Sequence, residues 1–294
     1  MLQSTPIYDI CTLSDFRQDD ILISRFAPYL EHHKNLHAAH RHTFYHVVFF
    51  TDGAGSHTID FENFDVKPNQ VYFMIPGQVH SWSFEGFTDG YIINFSSSFF
   101  QSFLLNPGYC DGFSFFSGDV NDAVINLPDG LHQKVKSLFE EIIKEWEIQA
   151  QSADLLRTLM LQLFILVNRF SAGGNNKGPA SYNQILLKNF QKLIEANYKN
   201  IKLPKDYAAL LYITPNHLNA VCKDLLGMQA GEVIRNRTIL EAKRLLTNPQ
   251  LNITEIAFEL NFTDNSYFTK FFKKTEGITP EEFRKNILNQ NHHE

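Results

Sequence analysis

The 294-residue sequence has only 3 cysteines, Cys11, Cys110 and Cys222. They lie far apart and form no CxxC pair, which argues against structural zinc and against a disulfide framework, and fits a reducing compartment. No apolar run approaches the roughly 18 residues that a membrane-spanning helix requires. The first residues lack the basic-then-apolar pattern of a signal peptide, so the expected location is cytoplasmic. There is no GxSxG, no P-loop, no GxGxxG and no Cys/His pair placed for nucleophilic attack, so the chain is not expected to be an enzyme. Positive charge is scarce between residues 44 and 100, where Lys67 is the single Lys or Arg. A multiply charged phosphate ligand is therefore not expected in that region.

What is present suits a globular chain of two domains: 44% hydrophobic and 20% charged residues, with 27 Phe. The net charge of −6 argues against nucleic acid, but its distribution does not. Residues 183–294 carry 15 Lys and Arg against 12 Asp and Glu, and the remainder carries 11 against 20. Only the mildly basic C-terminal part is suited to meet phosphates.

Along the chain, residues 21–29 and then 44–50, 57–61, 70–75 and 90–95 read as strands. They are separated by turn signals at Asp52-Gly53, Pro68-Asn69, Pro76-Gly77 and Asp89-Gly90. Short strands at even spacing predict a small barrel or jelly roll. The period then changes to helical. Val135, Leu138, Phe139 and Ile142 share one face, and residues 155–170 form a second, very apolar helix broken by Arg157, Gln162 and Asn168. The excess apolar surface of that helix predicts a second covering partner, here a homodimer. Residues 171–182 are rich in Gly, Asn and Pro and read as a linker.

Two similar helical pairs follow. In residues 252–285, Ile256, Ala257 and Leu260 mark one helix, with Thr254 as its expected N-cap. Asn261 marks a turn needing positive φ, and Asp264 caps a helix whose stripe is Phe268, Phe271 and Phe272. Upstream, Tyr207, Ala208 and Leu211 precede a short turn, then Thr214, Pro215, Leu218 and Val221. Gly227 and Gly277 read as C-caps. Between the pairs, residues 230–246 form one helix with Arg235, Arg237, Lys243 and Arg244. Two helices with a tight turn, the second polar and basic outside, describe a helix-turn-helix.

At these residues the chain resembles the AraC/XylS family of bacterial transcription regulators. Ile256, Ala257, Phe262, Ser266, Phe268, Phe272, Lys273, Gly277, Thr279, Pro280, Phe283 and Arg284 fall in register with the family's most diagnostic segment. The chain departs from it at Asn261, where Gly is usual, at Ala220, where many members carry a DNA-contacting Arg, and at Cys222, where they carry Phe. The segments from His40 to Phe61 and from Val71 to Trp82 are similar to the cupin-like sensor domain of such regulators. HxH at His40 and His42, with His80 following Pro76-Gly77, also resembles the metal motif of cupin enzymes, with His46 near the position of their carboxylate. In the regulators these histidines are structural and pocket groups, so the resemblance implies neither metal nor cofactor.

The resulting expectation is a multidomain α+β protein. Residues 1–130 form a cupin-like β-barrel that binds an effector, 131–170 a helical dimerisation segment and 171–182 a linker. Residues 183–294 form an all-α double helix-turn-helix domain, its units at about 205–226 and 253–276. The resemblance implies a transcription regulator, commonly an activator, that binds double-stranded promoter DNA, responds to a small organic effector and engages RNA polymerase. The alternatives are a metal-dependent cupin enzyme fused to a DNA-binding module and an effector-free dimeric regulator. Expected DNA-binding residues are Asn216, His217, Asn219, Lys223, Arg235, Asn265, Ser266, Thr269, Lys270, Lys273 and Lys274. His42, Tyr45, His80, Trp82 and Tyr91, set among apolar walls, are the expected effector-binding residues.

Overall fold

A computed structural model describes residues 6–10, 20–33, 36, 38–101, 103–104, 109–148, 150–171 and 181–290. Residues 1–5, residues 11–19 with Cys11, and residues 172–180 of the expected linker lie outside the described residues. The chain divides into two compact units, Pro6–Asn175 and one running from Asn176 to Glu294.

The first unit is two facing five-stranded sheets. Its strands are β1 (Ile7–Tyr8), β2 (Ile21–Arg25), β3 (His40–His42), β4 (Tyr45–Asp52), β5 (Gly55–Ile59), β6 (Glu62–Asp65), β7 (Gln70–Met74), β8 (Val79–Phe84), β9 (Asp89–Phe95) and β10 (Val124–Asn126). One sheet runs β1-β3-β8-β5-β6 and the other β10-β7-β4-β9-β2. Among the described residues the two sheets do not close into a ring, so the expected barrel is a sandwich. Several expectations change. Residues 57–61 are not one strand: β5 ends at Ile59, Asp60 and Phe61 make the turn, and β6 follows. Asp89-Gly90, read as a turn, opens the strand β9. Residues 21–29 are not one strand: β2 stops at Arg25 and α1 (Phe26–His32) begins. Residues 79–84, which carry His80 and Trp82, are the strand β8. The β5–β6 hairpin turns at Asp60 and Phe61, both at positive φ, in the sense that matches strand twist.

The central strand β4 explains the aromatic density. Val48 and Phe50 point into the core between the sheets, with Phe26, Phe44, Tyr72 and Trp82. Tyr45, Val47 and Phe49 point the other way, into a core shared with α2 (Leu131–Glu147) and α3 (Ala153–Ser171). A strand covered on both faces reads as a near-continuous apolar run, as residues 44–50 do but for His46. Gly90 on β9 is required there, because a Cβ would lie 1.9 Å from the Phe49 carbonyl oxygen.

The sheet consumes most of the apolar surface of α3. Leu156, Leu159, Met160, Leu163, Phe164 and Val167 are buried within this unit, and Phe164 meets Phe73, Phe95 and Phe116 at 5.3–6.1 Å. Leu155, at 44% exposure, and Ile165, at 41%, remain outside. No helix of the described residues is long and apolar enough to cross a membrane.

The second unit is helical: α4 (Tyr182–Asn197), α5 (Pro204–Leu210), α6 (Pro215–Leu226), α7 (Ala230–Leu246), α8 (Ile253–Glu259), α9 (Asn265–Glu276) and α10 (Pro280–Gln290). Ser181 and Gln184 form a capping box that starts α4. Helix α8 starts one residue beyond Asn252, which forms a capping box with Glu255, so Asn252 and not Thr254 is the N-cap. Each helical pair has its own core. Phe190, Tyr207, Leu218 and Cys222 fill the first, and Ile256, Ala257, Phe262, Phe268 and Phe272 the second.

Candidate nucleic-acid interface and ligand site

The two helical pairs repeat one another in detail. In the first turn Ile213 N–H donates to the Ala208 carbonyl at 3.0 Å and Tyr212 N–H to Ala209 at 3.1 Å. In the second, Phe262 N–H donates to Ala257 and Asn261 N–H to Phe258, both at 2.9 Å. Asn261 takes φ 59° and Tyr212 φ 57°, so both turns use a left-handed residue. Asn tolerates this conformation, whereas Tyr adopts it at a steric cost and stands 95% exposed. The turn residues correspond at a separation of 49 positions, but α6 and α9, at 215–226 and 265–276, correspond at 50. The second turn is thus one residue longer. Thr214 and Asp264 cap the two second helices by accepting from His217 N–H and Tyr267 N–H. Gly227 and Gly277 end them at φ 73° and 80°.

This correspondence sorts the expected DNA-binding residues. On α6, Asn216, His217 and Lys223 are exposed. Asn219 is half-buried, and its side-chain oxygen accepts from Ala230 N–H at 3.0 Å. Helix α7 has no cap of its own from Gln229, so Asn219 supplies one, which gives it a structural role. On α9, Ser266, Lys270, Lys273 and Lys274 are exposed, while Asn265 and Thr269 are half-buried and bonded to each other at 3.4 Å. The positions of Lys270, Lys273 and Lys274 are held in α6 by Ala220, Lys223 and Asp224. The second helix therefore presents three positive charges where the first presents one positive and one negative, and it should dominate phosphate attraction. Lys273→Ala is expected to weaken DNA binding similarly on every sequence and to lower the salt slope by about 1. Fluorescence anisotropy at several salt concentrations checks this, and an unchanged slope would remove Lys273 from the phosphate contacts.

Of the basic residues on α7, Arg235 is exposed. Arg237 pairs with Glu195 at 2.8 Å and lies 3.9 Å above the Tyr198 ring. Arg244 is buried against Glu241 at 3.3 Å, and Lys243 pairs with Glu276 at 3.2 Å. Arg237 and Lys243 thus tie α7 to α4 and α9, whereas Arg244 pairs along α7 itself. Arg284 donates to the Leu246 carbonyl at 3.2 Å, fastening α10 to the end of α7. Lys202 donates to the carbonyls of Tyr198, Lys199 and Leu260, and burial, then Lys199, lowers its pKa to about 8. Burial pushes the Cys222 thiol up to about 11, which leaves it an inert core group.

In the N-terminal unit the five expected effector residues separate. His42, His80 and Trp82 lie together between the sheets, with His42–His80 ring centroids 4.8 Å apart and His80–Trp82 5.1 Å. Tyr45 and Tyr91 lie on the opposite face of their sheet, under the helices. Tyr45 stacks on Phe95 at 5.0 Å. The Tyr91 ring lies beneath Arg25 and its hydroxyl donates to Glu140 at 3.3 Å. The reason is strand parity: His46, not Tyr45, faces the interior, and a one-residue step reverses the face.

The interior instead gathers His40, His42, His46, His57 and His80, all nearly inaccessible. His57, which sequence reasoning passed over, shares parity with the inward Ile59, and that alternation was the available signal. His40 Nδ1 donates to the Ala38 carbonyl at 2.7 Å, and its Nε2 lies 3.1 Å from His42 Nε2. His46 Nδ1 donates to Asn94 Oδ1 at 2.6 Å, and His57 Nε2 meets His80 Nδ1 at 3.1 Å. Burial, then the neighbouring imidazoles, holds His42, His57 and His80 well below the usual histidine range. His46 is lowered to about 3, mainly by burial. All four are neutral at pH 7. Trp82 belongs both to this cluster and to a groove of about 480 Å³ between α1 and β8, lined also by Ala27, Leu30, Phe84 and Phe87.

Comparison with known proteins fits both halves. A family model described as an AraC-like ligand binding domain matches residues 24–164, and a helix-turn-helix domain model matches residues 207–286. The HTH-type transcriptional activator AarP of Providencia stuartii is 33% identical over 116 residues, 37% of this chain and 86% of that protein. The activator RhaS of Escherichia coli is 22% identical over 257 residues, 83% of this chain and 86% of that protein. Several other curated relatives, RhaR of Pectobacterium carotovorum among them, are matched over about half their length. Among solved structures, ToxT of Vibrio cholerae aligns at 15% identity over 90% of this chain and 97% of that one, with a TM-score of 0.45.

Proposed function

This chain belongs to the AraC/XylS family of bacterial transcription regulators, and from that premise we propose that it binds promoter DNA under the control of a small effector. The observation that carries this reading is the pair of matching helix-turn-helix units, each with a capped second helix whose polar face is exposed. The bases are read by Asn216 and His217 on α6 and by Asn265, Ser266, Thr269 and Lys270 on α9. Lys223, Lys273, Lys274 and Arg235 hold phosphates. Enzymatic function is not proposed, since the named relatives are transcription regulators.

The effector is a compact organic molecule that enters the groove between α1 and β8, where Trp82 joins apolar walls to the polar interior. Activation is the proposed direction, as in the names of RhaS and AarP. A homodimer is proposed through the outer stripe of α3, around Leu155 and Ile165. Its basis is narrower than the sequence implied, because Leu163 is consumed within the unit. The test is a footprint on selected operator fragments, with sedimentation of the same samples. Protection of two major-groove segments about 34 Å apart per protomer is expected. A single protected segment per protomer overturns the double reading, and a monomer on the operator overturns the dimer.

A further inference from the structure

The interior histidines are more numerous and more closely aimed at one another than an organic pocket requires. His40 and His42 on β3 and His80 on β8 each offer a nitrogen within 4.8 Å of the others, and all three are buried. His40 is cross-strand partner to His80, so backbone register places these rings together.

The tautomers are constrained by what surrounds them. The Ala38 carbonyl can only accept, so His40 carries its proton on Nδ1 and directs the Nε2 lone pair toward His42. Asn94 Oδ1 accepts from His46 Nδ1, which leaves the buried His46 Nε2 as a second fixed lone pair without a hydrogen-bond partner. Imidazole ligands in metal sites are oriented in this way, through the nitrogen that does not bind. His42 Nδ1, His57 Nδ1, His80 Nε2 and Trp82 Nε1 are also buried without partners. Hydrogen bonding among the imidazoles alone thus leaves several nitrogens of the cluster unsatisfied.

The same His40–His42 contact, which an N–H···N hydrogen bond satisfies in the metal-free unit, also has the spacing of two ligands of one ion. Two imidazole nitrogens bound at about 2.0–2.1 Å to one ion, at an angle of roughly 100°, lie about 3.1 Å apart. His40 Nε2 and His42 Nε2 are 3.1 Å apart. We propose that the N-terminal unit binds a divalent transition-metal ion through His40, His42 and His80, with His46 as the fourth imidazole in reach. The His46 ring stacks on His42 at 5.0 Å and lies 5.3 Å from His80. The third nitrogen closes to ligand distance by tilting of the His80 ring. Neutral imidazoles select zinc, copper, nickel, cobalt or iron(II) over magnesium and calcium.

The ion has a mechanical consequence. β3 and β8 belong to one sheet and β4, which carries His46, to the other. An ion held by all four imidazoles staples the two sheets beside Trp82 and the groove. A ligand in the groove then senses a metal-fixed wall. The metal site stands on the N-terminal unit alone; its regulatory consequence rests on the proposed function.

The test uses the full chain, stripped with chelator, reconstituted with zinc, cobalt(II) or nickel(II), and desalted. One equivalent of metal per chain is expected, with a ligand-field spectrum for cobalt(II) and a higher thermal midpoint for the loaded protein. A His40→Ala, His80→Ala variant is expected to lose at least about 100-fold in affinity, whereas His32→Ala, His33→Ala is expected to lose none. If the first variant does not fold, histidine-ring NMR of the wild type with and without zinc decides, through shifts confined to the interior imidazoles. Wild type that retains none of the three metals, or a folded double variant that retains them as wild type does, overturns the site. Anisotropy on DNA in the same samples separates the two readings. DNA binding without metal uptake overturns the metal site alone, and metal uptake without DNA binding overturns the regulator reading alone.

Discussion

Metal-free protein moved from pH 7.5 to pH 5 is expected to lose the fold of its N-terminal unit. His42, His46, His57 and His80 have folded-state pKa values below the unfolded value of about 6.5, chiefly through burial. Above pH 6.5 these imidazoles are neutral in both states and cost nothing. Below it the unfolded chain takes up protons that the folded unit refuses, so stability falls with pH. Each such imidazole removes about 1.4 kcal/mol per pH unit, and four remove about 5 kcal/mol per unit if they act independently. A domain stability near the lower end of about 5–15 kcal/mol is exhausted near pH 5. Both tryptophans of the chain, Trp82 and Trp146, lie in this unit, so tryptophan fluorescence in urea reports on it selectively. A urea midpoint that does not move between pH 7.5 and pH 5.5 would show that the imidazoles are not held neutral.

Phe272→Ala is expected to remove about 3–5 kcal/mol from the second helical pair, as deletion of a buried aromatic ring does. Phe272 is fully buried between Phe268, at 6.1 Å, and Phe283, at 5.6 Å. It joins α9 to α10, and without it α9 loses the surface that fixes its angle. Affinity for operator DNA should fall with the fold of this pair. The equivalent position in the first pair is Cys222, also fully buried. Cys222→Ala deletes one sulfur atom and should cost far less. Hydrogen exchange of residues 253–287 together with operator affinity checks both. Wild-type protection and wild-type affinity in Phe272→Ala would contradict the packing argument.

The contrast between the two helical pairs shows where local sequence signals carried the most. The caps Thr214 and Asp264, the C-cap glycines Gly227 and Gly277, and the positive φ of Asn261 are all set within a few residues of chain, and each stands in the structure as its local chemistry implies. The same local logic fails at Tyr212, whose left-handed backbone is imposed by the helices on either side, against the preference of the residue. It fails again at Asn219. Nothing near that residue in sequence indicates that its oxygen caps a helix beginning 11 residues later.

The sequence by itself determined the two-part organisation, the strands within residues 44–50, 70–75 and 90–95, the helical periods beyond residue 131, and the helix–turn–helix order of residues 252–277. These follow from periodicity and backbone chemistry, which act over a few residues. Only the tertiary structure decided which histidines share a space. His40, His42, His46, His57 and His80 come from four strands in two sheets, and their convergence depends on strand pairing and sheet stacking. It also decided that Tyr45 and Tyr91 face the helices, and that the outer face of one sheet uses most of the apolar surface of α3. Parity within a strand is visible in sequence. Which parity faces which layer is not, because a strand buried on both sides is apolar on both.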